Sequence, residues 1–402
     1  MDPQRLQSRF AVRANLTSIF LFALGNYVLI PYYAVYTSKN LGYGVAFAGI
    51  LVSVRMFSQR GLTLFGGVLT DYFGAQLISQ VGILLRATSF LILFFDRSPS
   101  SFVISAFANG TSSSLFNMAI RKMLFFAVRE DDSRLTAVIS LRSALLNLGA
   151  AIGPLLGTFF LYWDFSLTCL CVTVMFVGLG TIVWVANRTF EAARISTIRP
   201  ADFLRVIRLP GIQRVMLLQF IYFYFYSNLE YLLPIFSTEQ GHQGLVGILF
   251  TTNAVVVAGV QFTSARRIAN AGVNLGFWCF LAFFLLLGSI AYFSPGVGVS
   301  VLLVLAVALF TIAEIVVSFR VEYLSTKLGD KSLGGTTYGL VSVVGAIGML
   351  AANALNEQLY RWLGPASTWS INALLVVAAI AYLWRIRTPL LDRLPSPAKA
   401  TP

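Results

Sequence analysis

Apolar runs long enough to cross a bilayer recur in this chain from end to end, and lipid allows few folds for such a sequence. With no water to satisfy backbone N–H and C=O groups, a chain crosses hydrocarbon only as helices or as a closed barrel. Roughly 20 apolar residues match the ~30 Å of hydrocarbon as a helix, about twice what a barrel strand needs. Twelve candidate spans stand at about 14–37, 45–69, 76–95, 101–127, 134–162, 165–187, 213–237, 244–264, 273–294, 297–321, 334–356 and 366–386. The chain is therefore expected to be an all-α polytopic membrane protein. Its 402 residues are 57% hydrophobic and 11% charged, a balance that no soluble domain of this length requires.

The formal net charge of +13 would suit a nucleic-acid partner, but its distribution argues against one. With the N-terminus placed in the cytoplasm, 22 Lys and Arg fall on that side or at the span ends facing it, only Lys39, Arg97 and Arg361 fall on the other, and Arg55, Arg60, Arg86 and Arg142 lie within spans. That asymmetry follows the positive-inside rule for twelve spans with both termini cytoplasmic, in a cell (inner or plasma) membrane. Met1 to Arg13 has basic residues but no small-residue cleavage site after its apolar stretch, so the first span reads as an uncleaved anchor. Cys169, Cys171 and Cys279 lie within spans and read as packing residues. His242, the single histidine, stands in a short loop with no companions for a metal site. No metal and no cofactor is implied.

The longest polar stretch between spans, Asn187 to Arg214, is rich in Arg and broken by Pro200 and Pro210. It divides the chain into an N-terminal six-helix bundle (1–187), a cytoplasmic linker (188–213), a C-terminal six-helix bundle (214–388) and a cytoplasmic tail (389–402) expected to be disordered. Within the linker, Ala201 to Ile207 suits a short amphipathic helix. The halves resemble each other. A shift of 198 places Gly49-Ile50-Leu51 on Gly247-Ile248-Leu249 and Gly74 on Gly272, and a shift of 199 places Arg121 on Arg320, Asp131 on Asp330, Ser133 on Ser332 and Gly149 on Gly348. Two bundles related by an axis along the membrane normal follow from this repeat.

After the second span comes Gly67-Val-Leu-Thr-Asp71-Tyr-Phe-Gly74-Ala-Gln. It resembles the loop 2–3 signature of the major facilitator superfamily, Gly-x-x-x-Asp-Arg-x-Gly-Arg-Arg, at Gly67, Asp71 and Gly74 but not at its basic positions. The resemblance implies that Asp71 caps a neighbouring helix in a cytoplasmic latch of the outward-facing state, with Arg121, Arg129 or Arg134 supplying the missing charge. In the fifth span Gly149-Ala-Ala-Ile-Gly153-Pro154-Leu-Leu-Gly157-Thr158 resembles the superfamily's antiporter motif, Gly-x-x-x-Gly-Pro-x-x-Gly-Gly. Glycines every four residues open a groove for close backbone approach, and Pro154 bends the helix beside it. The span 4 signature is half present: Asn109-Gly-Thr-Ser-Ser-Ser114 resembles its small-residue patch, while Ser105 and Ala106 stand where its Arg would be. The drug:proton antiporter branch is the nearest fit, and it implies two pseudo-symmetric bundles with spans 1, 4, 7 and 10 lining a central cavity.

Charges stranded inside spans are rare, since one at a helix centre costs about 2.5–3.5 kcal/mol on insertion scales, and they usually face a bundle interior or a water-filled path. Glu314 and Glu230 fall in two of the cavity spans. Desolvation favours the neutral form of a carboxyl group, so either residue suits proton coupling, Glu314 more so; the alternative is a permanent structural pair with an Arg. Arg55, near mid-depth in span 2, suits a counter-charge or a substrate contact, whereas Arg86 on span 3 reads as structural. Arg60 and Arg142 are placed to snorkel towards the cytoplasm. Tyr222, Tyr226 and Glu230 share one face by i, i+4 spacing, an aromatic surface beside a carboxylate that suits a lipophilic cation. Asn26, Tyr27, Asn109 and Asn117 are further candidate substrate contacts.

The pattern points to a secondary active exporter of small amphipathic or aromatic molecules, driven by proton antiport, with a symporter or facilitator for a specific metabolite as the alternative. A membrane-embedded enzyme would need nucleophile, base or metal ligands gathered at one face, and these residues do not supply them. The expected partners are a small-molecule substrate, protons and the lipid bilayer, with no nucleic acid, and a monomer is the expected working unit.

Overall fold

The computed structural model describes residues 3–161, 164–187, 200–241, 245–293 and 296–385. His242, residues 188–199 of the linker and the tail 389–402 lie outside the described residues.

Among the described residues the chain is helical throughout, with no strand. The first half holds α1 (Pro3–Val35), α2 (Gly44–Gly61), α3 (Thr63–Phe73), α4 (Ala75–Phe95), α5 (Pro99–Ala127), α6 (Asp132–Leu161) and α7 (Phe165–Ala186). The short α8 (Pro200–Ile207) covers the segment expected to be an amphipathic linker helix. The second half holds α9 (Ile212–Ser227), α10 (Leu233–Glu239), α11 (Leu245–Thr263), α12 (Ala265–Asn270), α13 (Val273–Ile290), α14 (Val297–Leu328) and α15 (Gly334–Arg385). Eight of these are long and apolar enough to cross a membrane unaided.

The remaining expected spans are present as broken, fused or more polar helices, each with a local cause. The second span is interrupted at Leu62 between α2 and α3, where the Thr63 hydroxyl donates to the Arg60 carbonyl. The seventh span was expected to be one helix; instead a π segment, Asn228–Leu232, separates α9 from α10. Pro234 has no N–H to offer the Glu230 carbonyl, and the Leu233 amide bonds back to Asn228 five residues away. The last two expected spans run together in α15 and are divided by Gly364, whose φ of 77° is left-handed, followed by Pro365. Side-chain caps set other starts: Ser98 accepts from the Ser101 amide at α5, and Asp164 from the Leu167 amide at α7. The Leu167 hydrogen bond holds the Asp164 carboxyl below its ordinary value, against a small opposing effect of burial.

Contacts divide the chain into two compact units. One comprises Met1–Arg129, Leu145–Pro210 and Leu328–Val343, and the other Glu130–Ala144, Gly211–Lys327 and Val344–Pro402. In the first, Gly149 and Gly153 of α6 pack on the backbone of α1. A methyl at Gly149 would meet the Leu24 amide at 2.8 Å and the Phe20 carbonyl at 2.9 Å, and one at Gly153 would meet Leu24 and Tyr27. In the second, Gly348 of α15 packs in the same way on the Phe220 backbone of α9, and Gly345 packs on the Gln219 and Phe223 side chains. The repeat therefore extends to helix packing: a small-residue groove receives the backbone of a neighbouring helix in each unit. Phe225, Phe280, Phe283, Phe284 and Phe310 fill the core of the second unit, with Trp369 against Phe284 and Phe236.

Replacing Gly348 by Val is expected to cost about 1–3 kcal/mol through overpacking. Gly180→Ala, where the nearest atoms stand at 3.5 Å, is expected to leave stability unchanged. Thermal unfolding of the two purified variants in detergent checks the contrast.

Candidate functional site

In the second unit the polar centre is Glu314, half-buried midway along α14. The Asn253 side-chain amide of α11 donates to its carboxylate at 2.7 Å and to the Thr311 hydroxyl at 3.0 Å. Glu230, in the π segment, lies close enough for its charge to act on Glu314. Of the aromatic face expected beside it, the Tyr222 and Tyr226 rings stand 5.7 Å apart, and Tyr226 lies 6.1 Å from Phe310. Tyr222 is buried and Tyr226 half-buried, so within this unit Tyr226 is the more accessible ring. Asn253 was not among the sequence candidates. Its signal was a lone amide after two threonines in an apolar helix, with the next polar side chain, Gln261, eight residues further on, which is easily passed over.

Beyond the π segment an amide chain links three helical stretches. Asn372 donates to Asn356 at 2.9 Å, and Asn356 donates to Asn228 at 3.0 Å, all three being buried. Ser227 also donates to Asn353.

In the first unit the centre is Arg86, fully buried on α4. Its guanidinium donates to Ser112 at 3.0 Å and to Asn109 at 2.9 Å, and also to Asn26 and Ser113, and it lies 4.4 Å over the Phe22 ring. Asn26 and Asn109, expected to contact substrate, are thus gathered around an arginine. The small-residue patch of α5 has no Arg of its own and receives one from α4. Asn117 donates to the Ser113 carbonyl of its own helix. Tyr27 is exposed beside Gly153. Arg55 donates to Gln59 of its own helix at 3.0 Å and is half-buried.

The loop 2–3 motif forms a second buried cluster. Asp71 lies in the last turn of α3, which ends at Gly74 with φ 94°. Its carboxylate accepts from the amides of Gly335 (2.8 Å) and Thr336 (2.6 Å) and from the Thr336 hydroxyl, so it caps the N-terminus of α15. Gly67 packs directly on the Gly335 carbonyl. The counter-charge is Lys122, 2.6 Å from Asp71, not the expected Arg121, Arg129 or Arg134. Neighbouring positions on a helix point about 100° apart. Arg121 accordingly lies over the Tyr338 ring, Arg129 bonds the Gly329 carbonyl and Arg134 pairs with Asp131. The 199 shift matched Arg320 to Arg121, but the 198 shift that relates the second and eighth spans maps Lys122 on Arg320 and Asp71 on Ala269, and Arg320 bonds the carbonyls of Ala269 and Ala271. The repeat thus keeps the cation and replaces its carboxylate by helix-end carbonyls. Nearby, Arg205 pairs with Asp330 at 2.6 Å. Burial would raise the Asp330 carboxyl, but hydrogen bonds from Ser332 and the charge of Arg205 outweigh it and hold it below its ordinary value. This support is present above the ordinary carboxylate range and is lost as pH falls through the lowered folded value.

Arg142 was expected to snorkel. It instead pairs with Glu322 at 2.8 Å, nearly buried, because α14 carries a carboxylate at that level. Asp132 at the start of α6 accepts from Tyr323 and pairs with Lys327.

Lys122→Met leaves Asp71 buried with its helix cap, whereas Asp71→Ala strands a buried ammonium and uncaps α15. Breaking a buried pair costs about 3–5 kcal/mol. Asp71→Ala is therefore expected to lower the unfolding temperature more than Lys122→Met, and a double variant less than the sum of the two.

The chain matches the family model described as Major Facilitator Superfamily over residues 16–353. It is 28% identical over 395 residues to an uncharacterised MFS-type transporter of Mycobacterium tuberculosis, covering 94% of this chain and 93% of that one. It is 29% identical over 219 residues to the multidrug resistance protein MdtH of Salmonella newport, covering 52% of this chain and 51% of MdtH. Among solved structures, the human organic anion transporter MFSD10 superposes with a TM-score of 0.75 at 17% identity, over 95% of this chain and 100% of that one. The Escherichia coli fucose:proton symporter FucP superposes with a TM-score of 0.70 at 16% identity, over 94% and 98%. These two likenesses concern the fold.

Proposed function

Because the chain belongs to the major facilitator superfamily, we propose that this transporter is a secondary active exporter of small amphipathic or aromatic molecules, driven by proton antiport through rocker-switch alternating access. The observation that carries the reading is Glu314: a carboxylate midway along an apolar helix, held by Asn253 and acted on by a second acid, Glu230, beside an aromatic face. A carboxylic acid in such surroundings takes up a proton when shielded and releases it when water or a cation arrives. Tyr226 and Phe310 offer the π faces on which a planar cation would lie. The partial likeness to MdtH supports the drug-efflux reading. Gly149 and Gly153, with Pro154 next to them inside α6, form the close packing against α1 on which rocking would turn. The proposed setting is the cell membrane, with both termini in the cytoplasm.

A potential of about 100 mV supplies roughly 2.3 kcal/mol per charge moved, enough for about fifty-fold accumulation. No nucleotide hydrolysis is needed to drive export. In inside-out vesicles, an imposed proton gradient is expected to drive uptake of planar aromatic cations such as ethidium. Glu314→Gln preserves the shape of the side chain but cannot release a proton, so gradient-driven uptake is expected to disappear while substrate exchange continues. Gradient-driven uptake at the wild-type rate in that variant would remove Glu314 from the mechanism. Tyr226→Ala is expected to narrow the range of aromatic cations carried, and an unchanged range would exclude the aromatic face as the binding surface.

A further inference from the structure

A stripe of polar side chains descends from Glu314 through the second unit. On α14 it runs Glu314, Ser318, Glu322, at i, i+4 and i+8, so these side chains share one face over about 12 Å. On α11 the Asn253 face continues four residues at a time through Val257 to Gln261. There the Gln261 amide donates to Ser143 of α6 at 2.9 Å, at a level of α6 adjacent to the Arg142–Glu322 pair. The stripe then follows Ser140 and Thr136 of α6 to Asp132 at its start, each about one turn from the last.

Three polar atoms along this stripe have no hydrogen-bond partner in the protein although they are almost wholly buried: Gln261 Oε1, Ser140 Oγ and Thr136 Oγ1. A buried acceptor or hydroxyl left unsatisfied costs about 1–3 kcal/mol, and three in succession on one packed face would be expensive. Water satisfies such groups where the lining is polar and continuous. The charged groups facing the stripe are Arg142 and Asp132 from α6, Glu322 and Lys327 from α14, and Glu230 near its upper end; α11 carries no titratable residue. Because Arg142 pairs with Glu322 and Lys327 with Asp132, neither cation stands as an uncompensated barrier to a proton.

We propose that the packed faces of α6, α11 and α14 enclose a hydrated path that carries protons between Glu314 and the membrane face where Asp132 lies, with Gln261 as its narrowest polar step. That face is the cytoplasmic one in the topology proposed above, and the path rests on the reading of Glu314 as the proton carrier. The protons hop between waters and hydroxyls: each oxygen takes up one proton as it releases another, so every water and hydroxyl ends as it began, and Glu314 alone gains or loses the proton carried.

The test uses the full chain with Cys169, Cys171 and Cys279 replaced by Ser, in inside-out vesicles. Single cysteines are placed at Ser140 and Ser318, and at Leu285, an exposed apolar position on α13, as a control. Silver ion added to the vesicle exterior is the probe, and the thiol left unreacted is counted by alkylation and mass spectrometry. Ser140→Cys and Ser318→Cys are expected to react and Leu285→Cys is not. Adding Gln261→Leu is expected to abolish the reaction at Ser318→Cys, beyond the step, and to leave it at Ser140→Cys. Gln261→Asn, which keeps a polar group there, is expected to restore it. An unreactive Ser318→Cys, or one that reacts equally with and without Gln261→Leu, overturns the path. Gradient-driven ethidium uptake that survives in Glu314→Gln overturns the proton-carrier reading instead, whatever the thiols report.

Discussion

A charge taken out of water has to find its compensation nearby, and in this chain that requirement organises the interior. Arg86 is surrounded by hydroxyls and amides from α1 and α5, with an aromatic ring against its face. Lys122 is matched to Asp71, and Arg142 to Glu322. Arg320 is matched to carbonyls exposed at a helix end. Each solution ties together helices that apolar packing alone would leave free to rotate or slide, because lipid tails compete with side chains for the same contacts. The polar groups thus supply register, and the apolar groups supply volume.

Glu314, half-buried, differs from these buried charges. Its described donor is an uncharged amide, and the charge acting on it is of the same sign. A carboxylate held this way is positioned by a neutral group and not by a counter-ion. Glu322, on the same helix, pairs instead with the Arg142 guanidinium at 2.8 Å. Two acids eight residues apart therefore have different chemistry, and their neighbours make the difference.

Helical class, the two related halves and the capping role of Asp71 were legible in the sequence, because each depends on periodicity or on residues close together along the chain. The partners were not. Asn26 and Asn109 read as cavity contacts because nothing local reveals which way a helix is rotated about its axis. An α5 patch without its Arg and an α4 Arg without a partner were both visible, and joining them needed the geometry. Lys122 was hidden beside Arg121, one residue away and pointing elsewhere. The break in the seventh span was signalled by Pro234, whose effect falls on a carbonyl four residues earlier, at Glu230.

The amide chain from Asn228 through Asn356 to Asn372 contains no group that gains or loses a proton in water. Its strength is therefore independent of the pH on either side of the membrane. It braces the end of the π segment that carries Glu230 to two stretches of α15. The segment that carries Glu230 is thus held to α15 by contacts that do not themselves soften or tighten with pH.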